Sequence, residues 1–264
     1  NTYNKIIFKI KIFFFNYLRK IGSTPYWLFS DNITAKIKSY ETSDLVIACG
    51  GGYIMTSQAS TYIEKLFGCH DLDIFCYDFY LAKTFGIPYI LYNQSIGPFY
   101  DDTQAASIKK YLQGANVIIC REEITYKRLI TLGLKNVLLG ADIAFNLTSK
   151  QCDVLNNYAF DNSNNNIGIT LRKWLDTISQ SHFENQILDF IISSIVDNDR
   201  THFFLMPQVV FENVDDNDVV VYQAIYNKLP DKYKMNVHII NIDLHPSELK
   251  YLISKMSYFI GTRM

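Results

Sequence analysis

Arg172 directly follows the apolar run Ile167–Leu171, and Arg263 follows Tyr258–Ile260 by way of Gly261 and Thr262. A guanidinium placed just past a strand can grip a carboxylate or phosphate with two parallel N–H donors, which an ammonium cannot. Both arginines are therefore candidate anion ligands, and an ordinary salt bridge at a domain edge is the competing reading. Arg121 also ends an apolar run, but Glu122 and Glu123 follow it at once, so there the salt bridge is the better reading. Gly50-Gly51-Gly52-Tyr53 lets backbone approach a ligand closely and offers amide donors near a helix start. A tight strand-to-helix turn explains the same glycines. Gln94, Ser95 and Gly97 form a further polar exit, in Gln94-Ser95-Ile96-Gly97-Pro98.

Other chemistries lack their residues. His70, His182, His202, His238 and His245 form no HxxxH or HExxH pair, and no Gly-x-Ser-x-Gly elbow or Walker sequence occurs. No metal site or cofactor is expected. Asp71-Leu72-Asp73 imitates a metal-binding DxD, yet it opens a helical pattern, where carboxylates favour the dipole. The net charge of -1 gives no electrostatic footprint for nucleic acid. Cys49, Cys69, Cys76, Cys120 and Cys152 form no CxxC pair, and an odd count partly in apolar runs suits reduced thiols in the cytoplasm.

The elements that would position these groups alternate. Leu45–Cys49 reads as a buried strand, residues 72–85 as a helix closed by Gly86, and Ile87–Tyr92 as the next strand. Thr103–Leu112 is a helix, Val117–Cys120 a strand, Glu122–Leu132 a helix, and Asn136–Leu139 a short strand before Asp142. Residues 148–166 turn to Asn, Ser and Asp. A second alternation follows: strands at Ile167–Leu171, His202–Met206, Val237–Ile242 and Tyr258–Ile260, with helices between them. Such alternation predicts parallel sheets with helices on both faces. Ligands then bind outside the carboxyl ends of the strands. The division expected is a basic, aromatic segment at 1–43, a lobe at 44–150, a linker at 151–166 and a lobe at 167–264.

Residues 6–15 are apolar but broken by Lys9 and Lys11, too short and too charged to span a bilayer of ~20 residues' thickness. Their character permits a helix lying on a membrane surface, or one packed on the first lobe. The localisation expected is cytoplasmic, with contact to the inner membrane face left open.

Taken in order, Asp44–Gly52, Gln94–Pro98, Arg121 opening a helix that ends at Leu132-Gly133, Asp142–Phe145, Gly168–Arg172 and Gly261–Met264 resemble the polysaccharide pyruvyl transferase family over about residues 44–264. The resemblance implies an α/β fold of two Rossmann-like lobes, GT-B-like and here incomplete at both ends. It implies transfer of the enolpyruvyl carbons of phosphoenolpyruvate to a sugar of a bacterial cell-surface polysaccharide precursor, giving a pyruvate ketal. The acceptor would be lipid- or nucleotide-linked. Arg172 and Arg263 would be the catalytic arginines, with Thr262 and Met264 beside them at the donor, and residues 50–53, 94, 95 and 97 would face the acceptor or an anion. Family members continue after this Met with a histidine, the favoured general acid. The sequence stops before it, so inactivity of this piece alone is expected. A GT-B glycosyltransferase using a nucleotide sugar and a non-catalytic sugar- or anion-binding relative are the alternatives.

Overall fold

The computed structural model describes residues 2–56, 58–67, 71–158, 160–173, 177–210 and 217–261. The chain divides into two compact units, Asn1–Asn146 and Leu147–Met264. Each is α/β and built on a four-stranded parallel sheet.

The first unit begins with α1 (Thr2–Lys20) and α2 (Asp31–Glu41). Then come β1 (Val46–Cys49), α3 (Tyr62–Phe67), α4 (Asp71–Phe75), α5 (Tyr77–Phe85), β2 (Tyr89–Gln94), α6 (Asp102–Leu112), β3 (Val117–Cys120), α7 (Glu123–Thr131) and β4 (Val137–Leu139). The single helix expected over 72–85 is two. Cys76, at φ -99 and ψ 5, leaves the helical region, although its N–H still reaches Leu72 O at 2.9 Å. The segment 1–43 is packed into this unit. Ile12, Phe15, Ile37 and Tyr40 belong to the same buried cluster as Phe79, Leu91 and Ile118. Arg19 fixes α1 against α5, donating to Thr84 O at 2.6 Å with its guanidinium 3.9 Å from the Phe85 ring centroid.

The strand order is β1-β2-β3-β4. Stepping steadily one way with right-handed crossovers sends all the connecting helices to one face. Burial follows: Tyr89, Leu91, Ile118 and Val137 are buried on that face, while on the other Ile47 and Leu138 are each 55% exposed. Helices on both faces, expected from the alternation alone, therefore do not describe this sheet. Alternation reports that strands are parallel, not the order in which they pair.

The second unit holds β5 (Asn165–Thr170), α8 (Thr177–Asp197), β6 (Thr201–Leu205), α9 (Asp218–Lys228), α10 (Asp231–Lys234), β7 (Val237–Ile239), α11 (Pro246–Ser254) and β8 (Tyr258–Gly261). Its order, β7-β6-β5-β8, reverses direction after β7, so helices go to both faces. One face buries Ile167, Ile169, Phe203 and Leu205 with Ile191 and Tyr222; the other buries Phe204 and Met206 with Ile240 and Leu252. Within the polar stretch 151–166, a 3-10 turn at Asp153–Asn157 puts Leu155 into that second cluster. The chain enters α11 through a capping box between His245 and Glu248 with Pro246 in the first turn, which fixes the return to β8. Among the described residues no helix is long and apolar enough to cross a membrane.

His202 and His238, on neighbouring strands β6 and β7, lie parallel with ring centroids 5.5 Å apart and ring nitrogens at 3.2 Å. That contact needs one nitrogen donating and the other accepting, so at least the accepting ring is neutral. Burial, then repulsion from His202, pushes His238 down to about 4, and burial also lowers His202. The unfolded chain takes up these protons first, near pH 6.5, so stability falls as pH drops from there towards 4 and levels off below. Because solvent partly reaches the pair, the loss should be about 1–2 kcal/mol. Denaturant unfolding at pH 7 and pH 5 measures it. His238→Gln should flatten the difference, and an unchanged slope in that variant would assign the effect elsewhere.

Candidate active site

The carboxyl ends of the first sheet gather several of the expected residues. A bulge interrupts the β2–β3 pairing between Tyr92 and Gln94, and Asn93 there takes φ 56. Asparagine tolerates this conformation better than most side chains, and the extra residue re-aims the strand end. Gln94 is buried, and its Nε2 donates to Gly50 O at 3.2 Å and to the Tyr53 hydroxyl at 2.7 Å. Gly50 O can only accept, so the amide nitrogen must face it. The Gln94 Oε1 is thereby left buried with no hydrogen-bond partner. Burial raises the Tyr53 pKa, so the phenol stays protonated at neutral pH.

The glycine run does not open a helix, contrary to expectation; the next helix, α3, starts at Tyr62. Instead the loop runs beside the β2 exit. Ser95 N–H donates to Gly51 O at 3.1 Å, Gly97 N–H to Ile54 O at 2.7 Å, and Ile54 bridges Ile96. Gly50 to Gly52 and Gln94 to Gly97 thus form one double-stranded lip.

Arg121 is committed to that lip. Its Nε donates to Ser95 Oγ at 2.6 Å, one terminal nitrogen pairs with Asp142 Oδ2 at 2.9 Å, and Glu122 lies at 3.5 Å. Ser95 Oγ passes a hydrogen bond to Glu122 Oε2 at 2.9 Å, and Thr125 Oγ1 donates to the other oxygen of Glu122. The salt-bridge reading of Arg121 holds. Two carboxylates against one guanidinium leave no surplus positive charge, so the lip suits hydroxyl groups better than a phosphate. Glu122, read in the sequence only as a partner for Arg121, turns out to link Ser95, Thr125 and Arg121. Nothing in its local sequence signals this, because the link depends on β2 and β3 being neighbours. Burial, with Glu122 nearby, pushes the Cys120 thiol up to about 11, which removes it as a nucleophile at neutral pH.

Gly97 is the tightest point of the lip. It takes φ +84, and a Cβ there would lie 2.7 Å from Arg128 Cδ and from one of its terminal nitrogens. That guanidinium donates to Ile96 O at 2.6 Å. Gly97→Ala should therefore cost about 1–3 kcal/mol through backbone strain and the displaced arginine. Chemical denaturation of the variant checks this, and a change below ~0.5 kcal/mol would contradict the geometry.

In the second sheet, β5 pairs in parallel with β8, and Thr170 is registered with Gly261. Arg172 is exposed, two residues past Thr170. Thr262, Arg263 and Met264, expected beside it at the donor, lie outside the described residues. The exits of β5 and β8 sit side by side where the strand order reverses, the position at which open parallel sheets bind ligands. Tyr222 secures this corner from beneath. Its buried hydroxyl accepts from Leu171 N–H at 2.9 Å and donates to Met206 O at 3.1 Å, joining the ends of β5 and β6 just before Arg172. Among the described residues no cluster of His, Cys, Asp and Glu could hold a metal ion.

A family model described as polysaccharide pyruvyl transferase matches residues 2–264. The chain belongs to the polysaccharide pyruvyl transferase family. The match reaches back through α1 and α2, well before residue 44, where the ordered motifs begin. No curated protein matches the chain. The family is one of transferases, and membership implies pyruvyl transfer to polysaccharide.

Proposed function

We propose that the donor is phosphoenolpyruvate and that its three-carbon unit is joined to two hydroxyls of one sugar as a ketal, with release of phosphate. The observation that carries this reading is the pairing of Thr170 with Gly261, which sets the Arg172 strand end beside the strand leading into Thr262 and Arg263. Phosphoenolpyruvate carries its phosphate ester and its carboxylate on the same carbon. Arg172, and Arg263 two residues past Gly261 in the sequence, supply one guanidinium for each of these anionic groups. Protonation of the methylene carbon makes the adjacent carbon oxocarbenium-like, and a sugar hydroxyl adds there; the second hydroxyl then takes the place of the departing phosphate. The arginines hold the anionic groups while positive charge develops between them.

The same reading gives the lip of the first unit to the saccharide. Gln94 Oε1 is a buried acceptor lacking a donor, and a sugar hydroxyl supplies one. Gly50, Gly51, Gly52, Tyr53, Ser95 and Gly97 shape the surface around it. The two units are taken as Rossmann-like lobes of a GT-B-like fold. Titration calorimetry with phosphoenolpyruvate tests the donor assignment: saturable binding, competed by inorganic phosphate, is expected. Binding of a nucleotide sugar in the absence of any phosphoenolpyruvate binding would replace this reading with a glycosyltransferase. Phosphate release that depends on an added glycan tests the transfer itself.

A further inference from the structure

One side of α1 is apolar and faces solvent. Ile10, Phe13, Phe14, Tyr17 and, in the turn that follows, Ile21 are all exposed, Phe13 to 68%. They recur at i, i+3, i+4 and i+7, which is one helical stripe. The opposite side is already used, since Ile12 and Phe15 are buried in the first unit's core. Burial against this unit therefore does not account for the outer aromatic residues. Trp27, in the 3-10 turn Tyr26–Leu28 that follows, is 79% exposed as well.

Basic residues edge the stripe. Helix α1 carries no carboxylate, and Arg19 and Lys20 close its last turn. Beside it opens a cavity of 1240 Å³ whose wall includes Lys9, Arg19, Lys20, Lys65, Lys83 and Lys110. Among the described lining residues Asp73 is the single carboxylate, and it lies 3.9 Å from the Lys9 ammonium. At about 100° per residue, Lys9, Asn16 and Lys20 fall on one narrow arc of α1, between its buried face and Phe13. The basic mouth thus runs along the edge of the apolar stripe.

We propose that this face docks on an anionic lipid bilayer, with α1 lying in the plane of the interface. Ile10, Phe13, Phe14 and Tyr17 would enter the boundary between headgroups and acyl chains, and the basic cavity would receive phosphate-bearing headgroups. An apolar stripe edged by lysines is the pattern that binds such surfaces. Two alternatives fit less well. A second copy would bring the same lysines against this face, and like charges at short range repel. A free anion would account for the cavity and leave the exposed aromatic residues without a role.

The test is co-sedimentation of the full chain with vesicles of phosphatidylcholine alone and of phosphatidylcholine with phosphatidylglycerol at about 7:3. Binding to the anionic vesicles is expected, weakened at least about tenfold when salt rises from ~50 to ~500 mM. Phe13→Ser with Tyr17→Ser should weaken it about tenfold or more. Lys20→Glu with Lys110→Glu should weaken it by about fivefold or more for each lysine. All four side chains lie outside the buried core, so circular dichroism should show both variants folded. Equal binding to neutral vesicles, no binding at all, or variants that bind like the parent would overturn the proposal. So would a lipid-free dimer that Phe13→Ser with Tyr17→Ser turns into monomer, since the face would then be a contact between copies.

Discussion

Replacing Arg172 by alanine should weaken phosphoenolpyruvate binding by about tenfold to a hundredfold. A hydrogen bond to a charged group is worth about 1.5–3 kcal/mol, and a guanidinium can make two to one anionic group. The side chain is exposed just past the end of β5, so its truncation leaves the core intact and the variant should stay folded. Affinity and stability therefore separate at this residue. Arg172→Lys keeps the charge and loses the fork, and should fall between the two. Calorimetry gives the affinities, and an unchanged dissociation constant in Arg172→Ala would remove this arginine from the donor site.

Tyr222→Phe should have the opposite signature, a large effect on stability from a residue outside the ligand. Its hydroxyl serves Leu171 N–H and Met206 O, and the side chain is fully buried. Phenylalanine fills nearly the same space and strands both backbone groups, costing about 2–3 kcal/mol. Because these bonds hold the segment from which Arg172 emerges, donor affinity should drop as well, by about threefold to tenfold. Tyr222→Ala adds an unfilled volume and should cost about 4–5 kcal/mol. Urea unfolding with calorimetry of the folded protein distinguishes these outcomes. A Phe variant as stable as the parent would mean that the orphaned amide and carbonyl find other partners.

Most strands were legible from apolar runs ending in glycine or polar residues, as at Val46–Cys49 and Val117–Cys120. The reduced-thiol reading rests on sequence too, and the described cysteines are free. Helix ends followed from local chemistry: Asp101 with Gln104 and His245 with Glu248 are capping boxes, each contained within a few residues. The break at Cys76 was missed because the helical spacing of apolar residues continues through it. The first 43 residues looked separate by composition, yet Ile12 and Phe15 complete the first unit's core. The Phe15 ring meets that of Phe85, far along the chain and beyond any local pattern.

By itself the sequence determined which residues end strands, and therefore which groups could meet a ligand: Gln94, Ser95, Arg121, Asp142 and Arg172. It also determined the family, through motifs whose order along the chain is more telling than any one of them. Only the tertiary structure decided which strand ends are neighbours. Strand order turned Arg121 inward onto Ser95, Glu122 and Asp142, left Gln94 Oε1 without a donor, and put the β5 end beside β8. The reason is physical. Strand formation depends on residues a few positions apart, whereas strand order depends on which crossovers bury the most apolar surface across the whole unit.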